Sequence, residues 1–403
     1  MPVTDPNTII RIAARGDGIT ADGRHAAGGV TGDTLLPDGS LEHGPHHVIA
    51  PCRHYAKCGA CQLQHADETA LAGFVQDRVV LGAEGQEIAA LSVTAPHLSP
   101  PRSRRRATLH FQRAGRRIVL GFREGGSHRI VDMAECHILH PDLFAAVAPI
   151  KAMLARWPQA KAGDVSLTLV DQGVDLGLTG AAPEGLEQTE ALLDFARDLS
   201  LARLSVDHGY GPETAWEPEP ATVTLGQTIV PFPVGAFLQA TKDGEQALVA
   251  AARHWLGSSA RISDLFAGLG TFAFALSDKA QVVAIEAARD VVMAANGPAR
   301  RLARPVDYIH RDLFRNPLDA KECSTFDAIL LDPPRAGARE QVGQIAESDV
   351  GRVVYISCNP ASWARDAKTL VEAGFVLEEL RPVGQFRWST HVELASLFVR
   401  SGT

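Results

Sequence analysis

From Gly235 onward the chain settles into a strand–helix–strand repeat, and this constrains the fold more than any other feature. Arg261-Ile262-Ser263-Asp264-Leu265-Phe266 reads as a strand opening into Ala267-Gly268-Leu269-Gly270-Thr271, followed by the helical Phe272-Ala273-Phe274-Ala275-Leu276. Gln281-Val282-Val283-Ala284-Ile285 is a second strand closed by Glu286, and a third, Val306 to His310, precedes Asp312. Phe326 to Leu331 delivers Asp332-Pro333-Pro334-Arg335, and Val353-Val354-Tyr355-Ile356 runs into Ser357-Cys358-Asn359-Pro360. Open α/β sheets carry their chemistry at the carboxyl ends of such strands.

A lone cysteine at a strand end is more often a small apolar core residue than a nucleophile, so Cys358 must be judged by its company. The glycine turn lets a nucleoside-type ligand approach the backbone, with Gly268 and Thr271 beside it. It lacks the third glycine of the dinucleotide fingerprint, which favours S-adenosylmethionine over NAD. Glu286 is placed to accept hydrogen bonds from ribose hydroxyls, and Asp312 to meet an adenine amino group. Glu393 lies among Val392, Leu394 and Leu397. Desolvation there raises a carboxyl toward the range of a useful base.

The first third of the chain offers a different chemistry. Cys52, Cys58 and Cys61 stand in a Cys-x5-Cys-x2-Cys loop, and Cys136 is the obvious fourth ligand. Four cysteines suit zinc or a [4Fe-4S] cluster. The x5 gap exceeds the x2 to x4 spacing of zinc ribbons, and the pairs are asymmetric, which favours the cluster. Its expected role is structural, tying the Cys52 loop to the hairpin that follows. That hairpin runs from Arg102 to Arg123 with Gly115 at its turn, and its arginine density reads as a phosphate-facing surface on an otherwise acidic protein of net charge -8. Six cysteines in 403 residues do not make a disulfide scaffold. No apolar run spans a membrane, and the start has no secretory pattern, so a cytoplasmic location is expected.

Three domains are expected: a β module over residues 1–50, a central α/β region over 51–234 and the repeat over 235–403. In order, Asp264-Leu265-Phe266-Ala267-Gly268-Leu269-Gly270, Asp332-Pro333-Pro334-Arg335, Ser357-Cys358-Asn359-Pro360 and Thr390-His391-Val392-Glu393 resemble the motifs of the bacterial RNA uracil-5-methyltransferases. The Cys52, Cys58, Cys61 and Cys136 set is similar to the [4Fe-4S] site of the ribosomal-RNA branch. The resemblance spans nearly the whole chain. It implies a Rossmann-like class I methyltransferase domain at the carboxyl end, an α+β central domain with an iron–sulfur loop, and a shortened OB-like or TRAM-like barrel at the amino end. It also implies Cys358 as nucleophile and Glu393 as base, with Gln239, Phe266, Glu286, Asp312 and Asp332 shaping the cofactor and uridine pocket.

The expected activity is methyl transfer from S-adenosylmethionine to C5 of a uridine flipped out of RNA, with 23S ribosomal RNA favoured over transfer RNA, by a monomer with no membrane partner. An amino-methyltransferase acting on a purine is the competing enzyme, since Asp-Pro-Pro also suits an exocyclic nitrogen. An iron–sulfur RNA-binding protein with a relic methyltransferase domain is the non-enzymatic alternative. Departures from the family pattern spare every reacting group. Thr271 and Thr241 stand where Asn is common, Arg387-Trp388 replaces Pro-His, and Ser362-Trp363 replaces Thr-Leu. Cys323 reads as a bystander.

Overall fold

The computed structural model describes residues 5–302 and 306–401. Its centre is a nine-stranded sheet formed mainly by the carboxyl-terminal half. In spatial order the strands are Val306–His310, Gln281–Glu286, Arg261–Leu265, Ala328–Leu331, Arg352–Ser357, Glu393–Arg400 and Phe375–Gly384. The first five are parallel, and Glu393–Arg400 runs antiparallel to both of its neighbours. Chain order reverses beside Arg261–Leu265, between neighbours from earlier and later crossovers, and ligands bind at such a reversal. The central strands read as continuous apolar runs because helices cover both faces. Val353, Val354, Tyr355 and Ile356 are all fully buried.

Residues 68–98 precede the central sheet in sequence yet add to this one. The helix Glu68–Glu84 packs on the helix Pro360–Glu372. The strands Ser92–Val93 and His97–Leu98 pair in parallel with Phe375–Gly384 and cover its outer edge.

A six-stranded sheet holds Arg106–Ala114, Arg117–Gly121, Ala162–Val170, Gly173–Thr179, Arg203–Asp207 and Pro212–Trp216. Leu109, Phe111, Val165, Leu167, Leu176 and Leu204 alternate onto the face covered by helices and form its core. The expected turn at Gly115 is present, with φ of +64°.

The amino-terminal module departs from the expected barrel. Ile9–Ile12, Gly18–Thr20 and His25–Ala26 form one small sheet, and Thr34–Leu35 pairs with Leu41–Glu42 in another. Ile9 N donates to Asp33 O (2.8 Å) and Leu35 N to Asn7 O (2.9 Å), joining the two. Strands of two to four residues have too few rungs to close, and no closed barrel forms among the described residues.

Not every arginine of the hairpin is free to face a phosphate. Arg105 is buried and pairs with Glu245 while donating to Gln239 O (2.9 Å). Arg113 donates to the carbonyls of Leu154 (2.7 Å), Trp157 (2.6 Å) and Ala160 (3.0 Å), binding the strand to the end of the helix Val147–Ala155 and the turn after it. These guanidinium groups hold protein to protein. Arg102, Arg116, Arg117 and Arg123 remain exposed.

Candidate active site

One cavity of about 1250 Å3 opens at the carboxyl edge of the large sheet. Every residue assigned from sequence to catalysis or cofactor binding lines it: Gln239, Phe266, Gly268, Thr271, Glu286, Asp312, Asp332, Cys358 and Glu393. Five come from the ends of successive parallel strands. Glu393 reaches the same edge by starting a strand that runs the opposite way. Ser357 pairs with Leu394, so Cys358 and Glu393 lie one step beyond the last paired rung of adjacent strands.

Local sequence explains the placement. Pro360 opens the helix Pro360–Glu372, and the Asn359 side chain accepts from Ala361 N (3.2 Å) at its cap. Cys358 is thereby fixed in a short turn between strand and helix. The same cap joins it to the Asp332 turn, since Asn359 Nδ2 donates to Arg335 O (2.9 Å) and Ser362 Oγ to that oxygen (3.0 Å). On the cofactor side, Phe266 has φ of +62°, an uncommon conformation for a bulky residue and one that recurs at functional sites. Its ring meets that of Phe314 at 5.4 Å. Gly270 at φ +97° caps the next helix, and a Cβ there would stand 2.2 Å from Tyr308 Oη.

Glu286 Oε2 accepts from Gly268 N (2.9 Å), and Oε1 accepts from Ala287 N and Ala288 N (both 2.8 Å). Three of its roughly four acceptor positions are taken. A ribose hydroxyl would therefore bind at Oε2 beside the Gly268 amide. Asp312 Oδ1 accepts from Phe314 N (3.0 Å), which fixes its carboxylate at the rim.

The end of the cavity at Cys358 is lined by buried carboxyl groups. Glu393 is 4% exposed, and burial pushes its carboxyl up to about 7, against a side-chain hydrogen bond with Gln385 and the Arg106 charge. Burial lifts Asp332 well above the carboxylate range, and the Glu393 charge adds to the lift. The Cys358 thiol rises to about 11, first through burial and then through Glu393 and Asp332, while Arg335 opposes. Gln239 Nε2 lies 3.4 Å from Asp332 Oδ2, and Gln385 Nε2 donates to Gln239 Oε1 (2.8 Å). Such a linked polar row suits the edge of a planar base.

One residue not assigned from sequence also lines the cavity, with an arginine stacked on it. Phe237 is 58% exposed and lines the cavity, and the Arg106 guanidinium sits 4.3 Å from its ring centre. Arg106 Nε is buried without a hydrogen-bond partner in the described structure. The arginine density and the Phe237-Leu238-Gln239 run were visible, but nothing in sequence pairs them.

The four cysteines of the first third line a second, smaller cavity of about 380 Å3 with Tyr55, Phe122, Val131, Met133 and Ile138. All four thiols are free. Arg53 N donates to Glu135 Oε1 (2.6 Å) and Ala134 N to His54 Nε2 (3.0 Å), bringing the Cys136 segment to the Cys52 loop. Gly59 N donates to Arg123 O (2.9 Å) and Gly125 N to Lys57 O (3.1 Å), so backbone hydrogen bonds join the loop to the end of the hairpin. Among the described residues no three His, Cys, Asp or Glu side chains converge tightly enough for one shared metal ion.

An RNA methyltransferase of Zymomonas mobilis is 47% identical over 394 residues, covering 97% of this chain and 99% of that protein. The 23S rRNA (uracil(1939)-C(5))-methyltransferase RlmD of Pectobacterium carotovorum is 33% identical over 371 residues, covering 89% and 82%. This chain belongs to the RNA uracil-5-methyltransferase family. The family described as tRNA (Uracil-5-)-methyltransferase matches residues 311–401, the stretch with Asp332, Cys358 and Glu393. The fold is shared with Pyrococcus abyssi tRNA (uracil-54, C5)-methyltransferase, solved with S-adenosyl-L-homocysteine, at a TM-score of 0.75 and 20% identity over 98% of this chain and 99% of that one. No helix among the described residues is long and apolar enough to cross a membrane.

Proposed function

We propose that this member of the RNA uracil-5-methyltransferases methylates C5 of a uridine in RNA, with Cys358 as nucleophile and Glu393 as base. The observation that carries the reading is the single cavity in which Cys358 and Glu393 meet the glycine turn. C5 of uracil is too weak a nucleophile to take a methyl group unaided. Addition of Cys358 Sγ to C6 moves the ring electrons toward C5 and O4 as an enolate. Bound S-adenosylmethionine supplies the electrophilic methyl group that C5 takes up. Glu393 then removes the C5 proton, the C–H pair re-forms the C5–C6 double bond, and the sulfur–C6 bond breaks to return the thiolate.

The pKa pattern fits this division of labour. Glu393, at about 7, is half ionised near neutrality and able to accept a proton. Asp332, kept neutral by burial, offers a donor to a uracil oxygen rather than competing as a base. The Cys358 proton must leave as sulfur attacks, and Arg335 is the charge that favours this. Gln239, Phe266, Gly268, Thr271, Glu286 and Asp312 hold the cofactor side.

Cys52, Cys58, Cys61 and Cys136 would hold a [4Fe-4S] cluster as structural ligands. The all-sulfur donor set supports this, as does the gathering of all four cysteines around one cavity. The cysteine set and the likeness to RlmD favour 23S ribosomal RNA as substrate. Mapping 5-methyluridine in ribosomal and transfer RNA from a deletion strain tests the target: loss from 23S RNA is expected, and loss from transfer RNA alone refutes it. Full methyl transfer by Cys358→Ala would refute the covalent C5 reading and favour the purine amino-methyltransferase.

A further inference from the structure

The segment after Cys61 reaches the loop that carries the base. Gln62 N and Leu63 N both donate to Trp388 O (2.6 and 2.9 Å). Gln62 Oε1 accepts from Thr390 N (3.3 Å), Nε2 donates to Gly59 O (2.6 Å), and Gln62 O accepts from Tyr55 Oη (2.6 Å). Every polar group of Gln62 is therefore engaged, two toward the loop that ends at Glu393 and two within the four-cysteine segment. Trp388 is buried with φ of +59°, a strained conformation that the paired amides on its carbonyl hold in place.

We infer that Gln62 is a positioning residue that braces the loop of residues 386–392 against the four-cysteine segment, setting the aim of Glu393. The inference rests on the covalent reading above. If the aim of the carboxylate is lost, Cys358 still adds to C6 and C5 still becomes methylated. Removal of the C5 proton then slows, and the C–H pair is late in re-forming the ring double bond and expelling sulfur. Protein joined to RNA accumulates.

The test is Gln62→Met, which keeps length and backbone amides but removes the bonds to Thr390 N and Gly59 O. Turnover is expected to fall about tenfold, as small misplacements of reacting groups do. Denaturing gels should show the protein–RNA adduct building up, with S-adenosylmethionine binding, bound metal and melting temperature unchanged. Gln62→Glu keeps an acceptor for Thr390 N but cannot donate to Gly59 O, so turnover should recover only in part, with less adduct than in Gln62→Met. Unchanged turnover, a fall without adduct, or loss of bound metal from Gln62→Met overturns the inference. Glu393→Gln is the control: if it traps no adduct, the covalent reading falls as well, whereas a trap in Glu393→Gln alone refutes only the brace.

Discussion

Two cysteine-lined cavities lie in one molecule and show what makes a thiol reactive. Burial raises Cys61 to about 12 and Cys358 to about 11, so the acidity of the thiol does not separate them. Surroundings do. Cys61 faces three other cysteines in a small space walled by apolar side chains. Cys358 faces Glu393, Asp332 and Arg335 in a cavity with room for a nucleoside and a base. On the proposed reading, the first arrangement gathers sulfur around a cluster, and the second gives one sulfur a proton acceptor and a substrate to attack.

Removing the lone thiol breaks the contrast most severely. Cys358→Ala should lower methyl transfer at least about a thousandfold while calorimetry shows S-adenosylmethionine still binding. Removing its partner separates chemistry from stability. Glu393→Gln should slow turnover by about a hundredfold or more and leave RNA attached to the protein. The same change should raise stability above neutral pH by about 1–3 kcal/mol, because no buried carboxylate need ionise. Its sign follows from a folded-state value raised to about 7 from 4.5. The wild type loses stability relative to the variant as pH rises from about 4.5 through about 7, and urea melts at pH 4 and pH 8 would show it. Wild-type turnover should fall about tenfold per unit as pH drops below about 7, the base becoming protonated.

In the other cavity, Cys61→Ser should remove bound iron, absorbance near about 400 nm, and at least about 5 °C of melting temperature, with S-adenosylmethionine binding retained. Cys323 is the quiet member of the set, fully buried, with Gln341 Nε2 3.6 Å from its sulfur. Cys323→Ala should cost about 1 kcal/mol in a thermal melt and leave turnover unchanged.

Asp332, Cys358 and Glu286 were legible because each closes a strand whose apolar run is itself legible, and the order of the motifs gave them a common sheet. Glu393 opens its strand and was legible through its motif and its apolar neighbours. Contacts made across long stretches of chain were not. Arg105 reads like its neighbours, yet its charge is spent on Glu245, 140 residues away. Charge composition cannot distinguish a solvated guanidinium from one folded inward. Arg106 and Phe237 belong to different layers of the molecule, and only the fold stacks them. The amino-terminal glycine turns were visible, but spacing alone did not reveal that the strands between them were too short to close.

The bond from Thr390 N to Gln62 Oε1 joins residues 328 positions apart, and the ion pair of Arg387 with Glu68 closes almost as long a loop. Contacts of such separation form late, since the intervening chain must exist before its ends can meet. The cysteine loop therefore has no carboxyl-terminal partner until Arg387 and Thr390 have been made, and its order is among the last gained as the chain folds.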